Sequence, residues 1–149
     1  MFKLVRTDSE NPDFIKLVQQ LDADLATRDG TDNAFYAQYN KIDTIKHAVV
    51  AYLDSKPVAC GAIKQFAPGT MEVKRMFTLP ENRGQGAALK ILAELEDWAH
   101  ELLYQSCILE TGKRQPEAIA LYKKAGYKII TNYGQYAGIE NSVCFEKQV

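Results

Sequence analysis

No stretch of this chain approaches the ~20 consecutive apolar residues that crossing a bilayer requires. The opening MFKLVRTDSE is too short and too polar for a secretory signal. Cysteine is scarce: Cys60, Cys107 and Cys144 are three, far apart, each in an apolar, strand-like run. An odd count with no pairing pattern excludes a disulfide framework and points to a reducing compartment, so a cytoplasmic protein without a membrane partner is expected. His47 and His100 have neither cysteine nor carboxylate at metal-ligand spacing, so no metal is expected. Neither sign of charge prevails: 18 Lys and Arg against 19 Asp and Glu give a net charge of −1. That balance excludes the basic footprint of a nucleic-acid-binding protein. Internal repeats, low-complexity segments and linkers are also missing.

What remains is ordinary globular material: 149 residues, 46% hydrophobic and 25% charged, enough for one domain with a real core. Acids dominate between Asp8 and Asp43 and bases from Lys113 onward, which suits a protein meeting a cation at one end and an anion at the other. Strand patterns fall over residues 2–7, 47–53, 58–65, 70–78, 107–111, 127–130 and 142–147. A helix opens at Asn11-Pro12 with Phe14, Leu17, Val18, Leu21 and Leu25 on one face. Further helical patterns cover 34–39, the stretch from the glycine-rich turn to Leu103, and 116–125 before Gly126. The expected class is α/β of the α+β type: a mixed central sheet of six to seven strands flanked by about four helices. Residues 1–69 then form a substrate-side part, 70–130 a ligand-binding core, and 131–149 a closing loop and strand.

Arg83-Gly84-Gln85-Gly86-Ala87-Ala88 joins a strand to a long helix. A glycine-rich turn feeding a helix gathers unpaired N–H groups and the positive end of the helix dipole, which is an anion site. The dinucleotide fingerprint fails there, because the third small position is Leu89. A triphosphate loop fails at Gly112-Lys113, where Cys107 and Arg114 occupy the other required positions. A third pattern, R-x-x-G-x-A, is satisfied by Arg83, Gly86 and Ala88, and a second segment lies downstream, Ala118-Ile119-Ala120-Leu121-Tyr122-Lys123-Lys124-Ala125-Gly126-Tyr127. Together they resemble the GNAT superfamily of acetyl-CoA-dependent N-acetyltransferases, specifically over residues 71–130. The alternative for the turn alone is a helix that simply begins tightly.

The resemblance implies acetyl-CoA as co-substrate. Met76, Phe77 and Thr78 would pair with its pantetheine arm as an added strand does. The N–H groups of Arg83, Gly84, Gln85, Gly86, Ala87 and Ala88 would hold its pyrophosphate. Lys123, Lys124 and Arg114 are candidates for the adenosine phosphates. Many relatives carry an asparagine where this chain has Gln115, whose amide makes the same kinds of hydrogen bond from a longer stem.

Transfer of an acetyl group to an amine needs a proton acceptor, since only roughly one lysine-like amine in two thousand is neutral at pH 7. It also needs N–H donors for the oxyanion and a proton donor for the leaving thiolate. Tyr122 matches the tyrosine that plays the donor in many relatives. Glu72 resembles in placement the glutamate that some use as base, although it could equally pair with Lys74 or Arg75. Asp29 and Asp32 would draw an ammonium, and Tyr36, Tyr133 and Tyr136 could line the acceptor pocket. The acceptor is then a small-molecule or protein amine, and a homodimer is compatible with the family. The competing reading is a non-catalytic acyl-CoA-binding or regulatory module on the same fold.

Overall fold

The computed structural model describes residues 1–29 and 45–149, with the side chain of Asp29 excepted. Among these, the elements run β1 (Lys3–Thr7), α1 (Pro12–Asp29), β2 (His47–Leu53), β3 (Lys56–Ala67), β4 (Thr70–Thr78), α2 (Ala87–Glu101), β5 (Ser106–Gly112), α3 (Pro116–Lys124), β6 (Lys128–Ile130) and β7 (Ser142–Gln148). Single 3₁₀ turns at Pro80–Asn82 and Gly134–Tyr136 shape two of the loops. Three α-helices are therefore seen among the described residues. The helix expected over 34–39 lies outside them.

The seven strands form one mixed sheet in the order β1-β2-β3-β4-β5-β7-β6. β1 to β4 make an antiparallel meander; β5 joins β4 in parallel, and β7 lies antiparallel between β5 and β6. Each turn has a local cause. Asp54 and Ser55 both adopt positive φ, 50° and 68°, the two-residue turn whose twist matches a hairpin. Pairing therefore begins at once with Leu53 opposite Lys56, and β3 starts two residues earlier than its apolar pattern indicates. Asn11 caps α1: its Oδ1 accepts from the N–H groups of Asp13 at 2.9 Å and Phe14 at 3.0 Å.

The core gathers Phe14, Leu17, Val18 and Leu21 of α1, the centres of β2 and β3, and Ile91, Leu92, Leu95 and Ala99 of α2. Gly61 of β3 is where α2 comes closest, since a Cβ there would meet Met76 Sδ at 2.5 Å and Ile91 Cγ2 at 2.8 Å. The helical pattern carried to Leu103 ends sooner in the structure. α2 stops at Glu101, Leu103 turns left-handed at φ 69°, and its side chain is solvent-exposed. Cys60, Cys107 and Cys144 are buried free thiols.

Two features of β4 position everything that follows. Its pairing with β5 covers only Thr70, Met71 and Glu72, opposite Ser106, Cys107 and Ile108. Beyond Glu72 the ladder is lost, and among the described residues the β5-facing edge of β4 is left unpaired. In addition, β4 carries one extra residue against β3: Cys60 faces Phe77 and Ala62 faces Lys74, so three steps on β4 oppose two on β3. This bulge falls at Arg75, whose φ is 62°. A bulge bends its strand and re-aims the side chains around it.

Candidate active site

Two adjoining cavities fill the gap where β4 and β5 part. The larger, of about 340 Å³, runs along Met76, Phe77 and Thr78, the turn with Arg83, Gly84 and Gly86, the start of α2, and one face of α3. The smaller, of about 110 Å³, lies among Glu72, Arg75, Glu110, Thr111 and Tyr136. Leu21, Met76, Gln115, Ala118 and Tyr122 belong to both walls, so the cavities meet at Tyr122.

The large cavity ends at the glycine turn. Gly84 and Gly86 hold φ of 79° and 86°, and a Cβ on either would meet nothing within 4 Å. Glycine is thus required by the backbone, and the space in front of it is open. Gly86 precedes the first turn of α2, whose leading N–H groups have no intrahelical acceptor. Arg83 turns back rather than outward: its Nε donates to the Thr78 carbonyl at 3.1 Å and its guanidinium lies 5.8 Å from the Phe77 ring. Its side chain therefore braces the turn, and the backbone is what the turn offers to a ligand. Gln85 is exposed and outside the cavity wall. Lys124 lines the cavity and Lys123 does not, as expected for consecutive positions on a helix with 3.6 residues per turn. Gln115 stands at the N-terminus of α3 and lines both cavities. Across the mouth, Arg28 of α1 pairs with Asp24 at 3.2 Å and with Glu117 of α3, tying the two helices together.

At the junction Tyr122 is buried. Burial, with Glu110 nearby, pushes its phenol well above the ordinary tyrosine value, so it stays protonated. Tyr127 and Phe145 hold its ring, each at 5.9 Å between centroids.

In the small cavity Glu72 is buried. Its Oε2 accepts from the Tyr133 hydroxyl at 2.6 Å, and Lys74 Nζ lies 3.6 Å from its Oε1. Glu72 thus lines the cavity and has a cationic neighbour in Lys74, while Arg75, the other partner weighed for it, bonds Asp22. Tyr133 is packed edge-on between Phe66 and Tyr136 and orients Glu72; Tyr136 itself forms part of the cavity wall. Asp32 and Tyr36 lie outside the described residues, as does the side chain of Asp29.

One cavity residue, Glu110, escaped the sequence reading, and another, Arg75, entered it only as a partner for Glu72. Glu110 sits in buried β5 and accepts from Ser142 Oγ at 2.8 Å. Arg75 is buried on β4 and bonds Asp22 of α1 through Nη1 at 2.9 Å. Each left a trace: Glu110 interrupts the apolar run Cys107-Ile108-Leu109, and Arg75 takes the parity of Met71, Val73 and Phe77. Among the described residues no group of three His, Cys, Asp or Glu side chains is placed to hold a metal, and no helix is long and apolar enough to cross a membrane.

Solved N-acetyltransferases share this fold. PaiA N-acetyltransferase from Thermoplasma acidophilum, solved in complex with coenzyme A, aligns over 100% of this chain and 99% of its own with a TM-score of 0.70 at 15% identity. A Klebsiella pneumoniae protein assigned as an acyl-CoA N-acyltransferase aligns over 99% and 97% with a TM-score of 0.83 at 29% identity. In sequence, an IAA acetyltransferase of Azospirillum brasilense is 37% identical over 66% of this chain and 65% of its own length. An N-acetyltransferase of Schizosaccharomyces pombe, itself uncharacterized, is 32% identical over 51% and 47%. The chain thus spans about two thirds or less of the length of these two relatives. The model of the acetyltransferase (GNAT) family matches residues 9–127, and the chain belongs to that family.

Proposed function

We propose that this protein is an N-acetyltransferase that moves an acetyl group from acetyl-CoA to a primary amine by direct attack in a ternary complex. The observation that carries this reading is the meeting of the two cavities at Tyr122, one ending at the glycine turn and the other holding carboxylates.

The residues fit the donor. The open space before Gly84 and Gly86 and the first N–H groups of α2 suit a pyrophosphate, and the unpaired edge of β4 from Val73 to Thr78 suits an amide-bearing arm. Lys124 stands where further phosphate charge would lie. Acetyl-CoA, when bound, supplies an activated thioester carbonyl. The chain's own part is to hold and move protons. Glu72, oriented by Tyr133, takes the proton of the incoming ammonium, directly or through water. Tyr122, kept protonated by burial, gives one to the departing sulfur. A backbone N–H on the free edge of β4 faces the developing negative charge.

Thiol release from acetyl-CoA over a broad panel of amines tests the proposal. Turnover on at least one amine, with formation of the corresponding acetamide, is the expected result. Tight binding of acetyl-CoA with no release on any amine would instead make the protein a non-catalytic acyl-CoA-binding module.

A further inference from the structure

Arg75 is the residue that the proposed chemistry leaves unexplained. Its side chain is 1% exposed, yet it belongs to the wall of the small cavity. One hydrogen bond occupies it, from Nη1 to Asp22, whose own side chain is 51% exposed. Nε and Nη2 are buried and have no partner among the described residues. These two nitrogens share an edge of the guanidinium plane, and their N–H groups point the same way. That fork fits a carboxylate through two parallel hydrogen bonds. Buried charged donors left without acceptors are rare in folded proteins and call for a ligand or another specific reason.

The backbone points to the same place. Arg75 carries the positive φ of the bulge, a conformation disfavoured for any residue but glycine. Strained backbone of this kind clusters at ligand sites, where the surroundings hold it. Here Cys60 Sγ donates to the Arg75 carbonyl at 3.3 Å and fixes the bulge from β3. The rest of the wall selects among anions. Glu72 and Glu110 line the same cavity, so a doubly charged phosphate would meet two carboxylates beside the single guanidinium. A molecule that brings one negative group and one ammonium satisfies all three.

We infer that the acceptor is an amino-carboxylate, a free amino acid or a close analogue, whose carboxylate docks on the Nε–Nη2 edge of Arg75 while its amine lies toward Glu72. This rests on the acetyltransferase reading and names its substrate class. It excludes simple polyamines and internal lysines of proteins as preferred acceptors, since neither brings a carboxylate to that edge.

The test compares the proteinogenic amino acids with their carboxamides in the wild type, Arg75→Gln and Arg75→Lys. One readout is thiol release from acetyl-CoA. The second needs no turnover: saturation-transfer NMR of N-acetyl amino acids against N-acetyl amino amides, with coenzyme A present. For at least one pair the wild type should favour the carboxylate by roughly ten- to a hundredfold, the worth of a charge-assisted hydrogen-bond pair. Arg75→Gln should bring the ratio to within about threefold. Arg75→Lys, which keeps the charge but loses the fork, should fall between and serves if the glutamine variant does not fold. Coenzyme A affinity reports folding in every case. Wild-type ratios near one in both readouts, or a preference that survives in a folded Arg75→Gln, would overturn the inference. Absence of thiol release on every amine would defeat the acetyltransferase reading alone, because the NMR comparison still decides the carboxylate site.

Discussion

In the proposed reaction Tyr122 and Glu72 divide the proton traffic between them, and each can be removed without collapsing its surroundings. Tyr122→Phe keeps the ring against Tyr127 and Phe145 and deletes only the hydroxyl. If that hydroxyl protonates the sulfur, kcat should drop by about 10² or more while KM for acetyl-CoA stays within a few-fold. A kcat within threefold of wild type would remove Tyr122 from the acid role. Glu72→Gln retains an oxygen to accept from Tyr133, so Tyr133 and Tyr136 should stay in place. The variant loses the ability to take a proton, and the rise of kcat/KM toward alkaline pH should flatten. An unchanged profile would transfer the base role to Glu110, the other carboxylate in that cavity.

At the scale of elements, glycines serve two different ends. Gly84 and Gly86 are required by backbone angle, with open space before them; Gly61 is required by space, because α2 lies over it. Gly61→Ala would bring a Cβ to 2.5 Å from Met76 Sδ, 2.8 Å from Ile91 and 3.0 Å from Leu95. Overpacking of this order costs about 1–3 kcal/mol. Met76 yields most easily, being flexible, and it lines both cavities. The expected outcome is a lower midpoint in urea together with a raised KM for acetyl-CoA; a stability loss with unchanged KM would mean that α2 shifts instead of Met76. These elements also mark how far the sequence could be read. The glycine turn, the Ala118–Tyr127 segment and the succession of strands along the chain were legible because period, caps and glycine placement are local properties. The bulge at Arg75 was not, since it depends on the register of β4 against β3. Glu110 was missed for a related reason: a carboxylate in an apolar strand reads as an interruption until the parting of β4 and β5 opens a cavity beside it. Three acceptor candidates, Asp32, Tyr36 and the side chain of Asp29, lie outside what is described.

For the molecule as a whole, the burial of so many neutral acids sets its response to alkali. Desolvation in the core pushes the thiols of Cys60 and Cys107 up to about 12 from an ordinary 9.0. The phenols of Tyr122, Tyr127, Tyr133 and Tyr136 are raised for the same leading reason. In the unfolded chain these groups return to ordinary values and lose their protons first. Between about pH 9 and 12 the unfolded state therefore binds fewer protons than the folded one, and the stability of the fold falls as pH rises. The contribution is fully present below pH 9 and is lost as pH climbs through the folded values. Urea titrations followed by the fluorescence of Trp98, the single tryptophan, should give a midpoint independent of pH between about 7 and 8.5 and a progressive decrease above 9, with an unchanged m-value. Thiol labelling at pH 8.5 supplies the independent check. The three cysteines are buried and free, so none should react in the native protein and all should react in urea. A midpoint that holds steady from pH 9 to 11 would mean that titration of the buried groups is met by local opening, and the native labelling rate would then rise in the same range.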